Sequence, residues 1–204
     1  MSKFYVAALT GRSGSGKSYA SEYLAKRGIP TIDSDVVARE VVGVGSRCLK
    51  ELVRCFGADI LQQDGSLNRK LLGDLCFSDQ RKKDKLDEIT HPRIIEKLLD
   101  DFDELRRQGH KYCLVEAAAV IESGLYAVCD RLIMITSDER SQIDRIILRD
   151  GLTLEQAQTR LNAQVKEDEL RGICDVVIEN NGTLEQFNKK LDELATQLED
   201  WFLE

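Results

Sequence analysis

No apolar run in this chain approaches the ~20 residues that span a bilayer, and no basic segment leading into a long apolar core precedes its first motif. A cytoplasmic protein without membrane attachment is the expectation. Histidine is almost missing, with only His91 and His110, and none of the 6 cysteines, at positions 48, 55, 76, 113, 129 and 174, forms a C-x-x-C pair. A structural zinc site therefore has too few ligands at ordinary spacing, and the cysteines read as reduced thiols used mainly in packing. Positive charge is in deficit, with 29 Lys and Arg against 36 Asp and Glu for a net charge of -7. Broad attraction to nucleic acid is not expected, whereas a local basic site for a small phosphorylated molecule is compatible with this balance. Internal repeats, low-complexity tracts and flexible linkers are missing too. At 204 residues and 42% hydrophobic, the chain can bury a proper core, and one α/β domain with insertions fits it better than two independent domains.

Against these absences stands one dense motif. Gly11-Arg12-Ser13-Gly14-Ser15-Gly16-Lys17-Ser18 fills every fixed position of the phosphate-binding pattern G-x-x-x-x-G-K-[ST]. A chance match in a chain this long has odds of roughly one in a hundred, and its context reduces them further. Phe4 to Leu9 is a short apolar run suited to a buried parallel strand, and Lys17 to Arg27 has helical spacing, with Ala20, Tyr23 and Leu24 on one side. Strand, glycine loop, helix is the order the chemistry needs. Glycines let the loop fold tightly around an anion, so that backbone N–H groups and the positive end of the helix dipole meet phosphate oxygens. Lys17 would then reach the β- and γ-phosphates, and the Ser18 hydroxyl is placed to ligate Mg²⁺.

Gly28 closes the first helix, and Ile29-Pro30-Thr31-Ile32 reads as a short second strand ending at Asp33-Ser34-Asp35. Ligands of open parallel sheets sit beyond the strand C-termini, so these acids belong by topology with the phosphate loop, although Ser34 or Asp35 would also serve as a helix cap. Residues 46–109 show helical spacing with little strand signal, a turn at Asp64-Gly65 and a helix boundary at His91-Pro92. Strand character returns at Tyr112 to Glu116 and at Arg131 to Thr136, and Glu116 ends its strand where a carboxylate near the metal is expected. Residues 138–171 are rich in charge, with Arg145 and Arg149 four apart on one helix face and a capping-box pattern at Thr153-Leu154-Glu155-Gln156. Cys174 to Ile178 is the last strand candidate. Thr183 caps a terminal helix with Leu184, Phe187, Leu191, Leu194, Leu198 and Trp201 as its apolar stripe.

In this order the pieces resemble the dephospho-CoA kinases over nearly the whole chain. The match runs through Leu9-Thr10-Gly11 and Gly14 to Ser18; Ile32-Asp33-Ser34-Asp35 with Ala38-Arg39-Glu40; Asp64-Gly65 with Leu67-Asn68-Arg69; and Ile89-Thr90-His91-Pro92. It continues through Val120-Ile121-Glu122, Gln142 with Arg145 and Arg149, Gln164, and Asp175 to Ile178 before Asn180-Asn181-Gly182. The resemblance implies transfer of the ATP γ-phosphoryl group to the ribose 3′-hydroxyl of dephospho-CoA, giving coenzyme A and ADP. It assigns Asp35 to accept the hydroxyl proton and Asp33 to support Mg²⁺ through water or orient the acceptor. Lys17, Arg145 and Arg149 would neutralise the transferring group. ATP would be held by Gly11, Gly14, Ser15, Gly16, Lys17, Ser18, Tyr19, Arg145 and Arg149; Arg39, Arg69, His91 and Glu122 would join the two acids around the acceptor. Ser18 would hold the metal, with Asp33 or Glu116 acting through water. Three departures stand out: Arg12 where the family usually has Gly, Glu116 where many members carry Asp, and Ala117-Ala118-Ala119 in place of a Pro with bulky neighbours.

The implied architecture is a three-layer α/β/α P-loop fold on a parallel sheet of about five strands. Its core comprises 1–45, 110–139 and 172–204, with a helical acceptor-binding insertion at 46–109 and a helical lid at 140–171. A monomer with no nucleic-acid partner is expected. The nearest rival is another P-loop small-molecule kinase, such as a nucleoside monophosphate kinase. A GTPase-type switch is disfavoured, because no D-x-x-G occurs and Asn188-Lys189-Lys190-Leu191 lacks the Asp that N-K-x-D needs.

Overall fold

The computed structural model of the chain describes residues 3–77 and 79–203. Five strands, β1 (Tyr5–Thr10), β2 (Thr31–Asp33), β3 (Tyr112–Glu116), β4 (Arg131–Thr136) and β5 (Val176–Glu179), form one parallel sheet in the order β2-β3-β1-β4-β5. The three central strands are buried along almost their whole length, which is why they read as unbroken apolar runs rather than alternating ones. Register places Leu9 opposite Glu116 and Thr10 opposite Met134. The loop leaving β1 therefore starts beside the carboxyl ends of both neighbours.

The chain divides into two compact units, one made of Met1–Ile32 with Leu105–Glu204 and the other of Asp33–Glu104. In the first, α1 (Lys17–Lys26) and α9 (Leu184–Leu203) cover the sheet. Ala20 and Leu24 of α1 join Phe187, Leu191, Leu194, Leu198 and Phe202 of α9 against Leu9, Leu114, Ile133 and Ile135. Each of these large α9 side chains contributes about 1.5–3 kcal/mol by leaving water. The stripe begins one turn later than its sequence pattern suggested, because Leu184 sits at the helix start and is 59% exposed, and Phe202 extends it. Gly28, at φ 89°, closes α1 by donating its N–H to Ala25 O at 3.0 Å.

Three further helices of this unit are α6 (Glu139–Asp150), α7 (Leu154–Asn162) and α8 (Glu167–Ile173). A small core of Ile143, Ile146, Ala157 and Leu161 joins α6 to α7. The capping box at Thr153 and Gln156 forms with both of its reciprocal bonds.

The second unit holds α2 (Ser34–Glu40), α3 (Arg47–Phe56), α4 (Arg69–Phe77) and most of α5 (Gln80–Arg107) around Val42, Leu49, Leu52, Ile60, Leu72 and Cys76. The Asp64-Gly65 turn is present, closed by an antiparallel bridge between Leu61 and Leu67. His91-Pro92 is not a helix boundary, since α5 runs through it. Proline removes one helical hydrogen bond and only biases the residue before it. Ile89 packs into a core on one side of Pro92 and Leu98 and Phe102 are buried on the other, and this burial outweighs the local preference. Among the described residues no helix is long and apolar enough to cross a membrane.

Candidate active site

The loop between β1 and α1 is shaped by glycines that no other residue replaces. Gly14 (φ 79°) and Gly16 (φ 99°) lie in left-handed space, and a Cβ on either would strike the Gln142 backbone or the Asn180 side chain respectively. Ser15 N donates to Arg12 O at 3.1 Å, which tightens the turn. α1 then starts with no side-chain cap and no acidic residue in its first turn. Its first amides and the positive end of its dipole are thus directed to an external anion rather than to the protein's own carboxylate. This cradle fits a phosphate chain.

Lys17 Nζ donates to Glu116 Oε1 at 2.6 Å, and Ser18 Oγ donates to the same oxygen at 2.7 Å. Glu116 is only 8% exposed. Burial alone would raise its carboxyl pKa. The charge of Lys17 and hydrogen bonds from Lys17, Ser18 and Ser21 outweigh burial and hold it below the ordinary value. The departure from Asp to Glu therefore lengthens a side chain that reaches both motif residues. The oxygen donors of Ser18 and Glu116 suit a hard cation such as Mg²⁺. Among the described residues no group of three or more His, Cys, Asp or Glu side chains could hold a metal, so the remaining ligands would have to come from phosphate and water.

The two arginines of α6 take different positions. Arg145 Nη1 donates to Gly14 O (3.0 Å) and Ser137 Oγ (3.1 Å), and Nη2 to Asn180 O (3.2 Å), so its guanidinium sits against the carbonyls of the phosphate loop. Arg149 forks onto Asp150 with two 2.8 Å bonds and stands 3.5 Å from Ser13 Oγ. Asp150 also accepts from Arg160 at 2.7 Å, and its carboxyl lies below its usual range chiefly through the bond from Arg149. Arg12 Nη2 reaches Leu161 O at 2.6 Å, and Gln164 Oε1 accepts from Ser13 N at 2.9 Å. Tyr19 is exposed on α1, with its hydroxyl donating to Asn188 Oδ1 at 2.8 Å. Glu122 is exposed in a turn of the same unit.

In the second unit Asp33 is the N-cap of α2, its Oδ1 accepting from Asp35 N (2.8 Å) and Val36 N (3.4 Å). The cap thus falls on Asp33 rather than on Ser34 or Asp35, because the helix starts two residues earlier than its first apolar residue. Asp35 lies in the first turn, exposed. Arg69 Nη2 donates to Arg39 O at 3.3 Å, which brings those two residues together. His91, half buried on α5, has Asp87 Oδ1 at 3.5 Å from its Nε2. Arg69 and Lys70 line a 470 Å³ cleft whose other walls include Val42, Val44 and Leu67. Asn180 stood in the sequence only as part of a run after the last strand. Its bonds to the loop were invisible there, although the end of a parallel strand is where such a residue is to be sought.

A parallel sheet with a glycine loop at the end of β1, a lysine and serine opening the next helix and an arginine of α6 against that loop defines a P-loop kinase. The dephospho-CoA kinase family model matches residues 5–186. A dephospho-CoA kinase of Listeria innocua serovar 6a is 38% identical over 183 residues, covering 90% of this chain and 92% of its own. One from Geobacter sulfurreducens is 38% identical over 186 residues, covering 91% and 94%. Among solved structures, dephospho-CoA kinase from Campylobacter jejuni superposes with a TM-score of 0.72 at 26% identity, covering 95% of this chain and 96% of its own. Shikimate kinase from Bacteroides thetaiotaomicron shares the fold alone, at a TM-score of 0.56 and 11% identity over 96% and 98%. The chain belongs to the dephospho-CoA kinase family.

Proposed function

We propose that this protein phosphorylates the ribose 3′-hydroxyl of dephospho-CoA with ATP, working in the cytoplasm as a monomer that needs neither membrane nor nucleic acid. The observation that carries the reading is the Lys17, Ser18 and Glu116 cluster at the mouth of a glycine cradle, in a chain of this family. The acceptor oxygen bonds to the γ-phosphorus, the bond from that phosphorus to the ADP oxygen breaks, and the hydroxyl proton passes to Asp35. Lys17 leaves Glu116 for the β- and γ-phosphates, and the loop amides with Gly11, Gly14, Ser15 and Gly16 hold the chain in line. Arg145 and Arg149 add positive charge from the lid, and Tyr19 flanks the nucleotide. Ser18 would hold Mg²⁺, with Glu116 or Asp33 acting through water, and the ion supplies neutralisation of phosphate charge. Arg39, Arg69, His91 and Glu122 hold the acceptor, with Asp33 orienting it.

The domain division proposed for these roles is a nucleotide core at 1–45, 110–139 and 172–204, an acceptor-binding insertion at 46–109 and a lid at 140–171. The test is direct: incubate the protein with ATP, Mg²⁺ and dephospho-CoA, separate the products, and use nucleoside monophosphates as control acceptors. Coenzyme A and ADP should form from dephospho-CoA and ATP, and the control nucleoside monophosphates should not be converted to their diphosphates. Turnover of a nucleoside monophosphate in preference to dephospho-CoA would overturn the assignment.

A further inference from the structure

We infer that Asn180 is a positioning residue for phosphate binding, acting through the backbone of the loop without touching the nucleotide. The inference rests on the phosphate loop binding a nucleotide triphosphate. Asn180 Nδ2 donates to Ser15 O at 2.9 Å, and Arg145 Nη1 approaches the same carbonyl at 3.4 Å. A carbonyl only accepts, so the carboxamide must present its nitrogen. In a trans peptide the C=O of one residue and the N–H of the next point in opposite directions across a planar unit. Fixing Ser15 O from behind therefore aims Gly16 N–H away from Asn180, at the start of α1 where the cradle opens. Asn180 is itself fixed at both ends, with its N–H on Thr136 O at 2.7 Å and its carbonyl on Arg145 Nη2 at 3.2 Å. The bare Cα of Gly16 is what lets the carboxamide come this close. The sheet thus holds one peptide plane of the loop through a single side chain, and donors oriented in advance bind phosphate without an ordering cost at the moment of binding.

The experiment compares wild type, Asn180→Ala and Asn180→Asp by calorimetric titration with ATP, ADP and adenosine, each with Mg²⁺, and by steady-state assay. Asn180→Asp keeps the volume but places an acceptor against Ser15 O, so it carries the test should Asn180→Ala not fold. Both variants should bind ATP and ADP about tenfold more weakly, Asn180→Asp the worse of the two, with adenosine affinity and the KM for dephospho-CoA unchanged within about twofold. Equal ATP affinity in wild type and folded Asn180→Asp would overturn the inference. So would adenosine weakening as much as ATP, which would mean that Asn180 meets the nucleoside or that the site has loosened generally. If wild type itself binds ATP no better than adenosine, the phosphate-loop reading fails first and the inference falls with it.

Discussion

The pairing of Lys17 with Glu116 gives the motif lysine a structural role beyond its charge. Its side chain is 12% exposed and that of Glu116 11%, so removing one partner strands the other in a dry setting. Lys17→Met should therefore lower kcat by orders of magnitude and also destabilise the fold by up to about 3 kcal/mol. Lys17→Met with Glu116→Gln removes both charges and should recover most of the stability but none of the rate. Urea denaturation of both variants checks this, and a double variant no more stable than the single would mean that the pair is not what holds the site. At α2 the two acids separate cleanly. Asp33 caps the helix, so Asp33→Ala should cost about 1 kcal/mol and Asp33→Asn almost nothing. Asp35 has no cap to lose, and Asp35→Asn should leave the melting temperature unchanged while kcat falls ~10²–10⁴-fold. If Asp33→Asn is the variant that loses the rate, the base is Asp33.

Pro92 is the point at which an element departs from its own propensity. An interior proline costs a helix roughly 3 kcal/mol against alanine, part of which a bend recovers. Pro92→Ala should accordingly raise stability by about 1–3 kcal/mol in urea titrations of the intact protein. A loss of stability would mean that α5 needs the geometry proline imposes. Periodicity located the elements well. The strands at Tyr112–Glu116 and Arg131–Thr136 were legible to the residue, because burial on both faces makes a continuous apolar run with sharp polar ends. The phosphate loop was legible because its glycines are dictated locally. What was not legible depends on partners far along the chain. Arg12 reads in the sequence as a departure from glycine, whereas its guanidinium donates to Leu161 O, 149 residues away. Asn180 reads in the sequence only as part of a run after the last strand, whereas its carboxamide donates to Ser15 O, 165 residues away. Nor does any local pattern reveal that helix burial will override Pro92.

Stability of the whole protein should be bounded by different groups at the two ends of the pH scale. On the acid side Glu116 is held below its ordinary value of 4.5. Its contribution is present above that value and is lost as pH falls through the lowered one. On the alkaline side the relevant groups are thiols. Burial pushes Cys129 up to about 12 and Cys174 up to about 11 from an ordinary 9.0, and Cys113 further still. Well below 9.0 each thiol is protonated in both states and contributes nothing to the pH dependence. Above it the unfolded chain releases thiol protons that the folded chain retains, so the unfolded state binds fewer protons and stability must fall with rising pH. Lys3, Lys85 and Lys97, raised mainly by bonds to their carboxylates, start from 10.5, and Tyr112, raised by burial, starts from 10.0. Between 9.0 and 10.0 the thiols therefore act before the lysines and tyrosine. The urea midpoint of wild type should decline steadily across that interval, and Cys174→Ala should decline less steeply by the share of one thiol. Identical slopes would show that Cys174 ionises as freely in the folded protein as in the unfolded chain, which its half-buried position between α8 and β5 argues against.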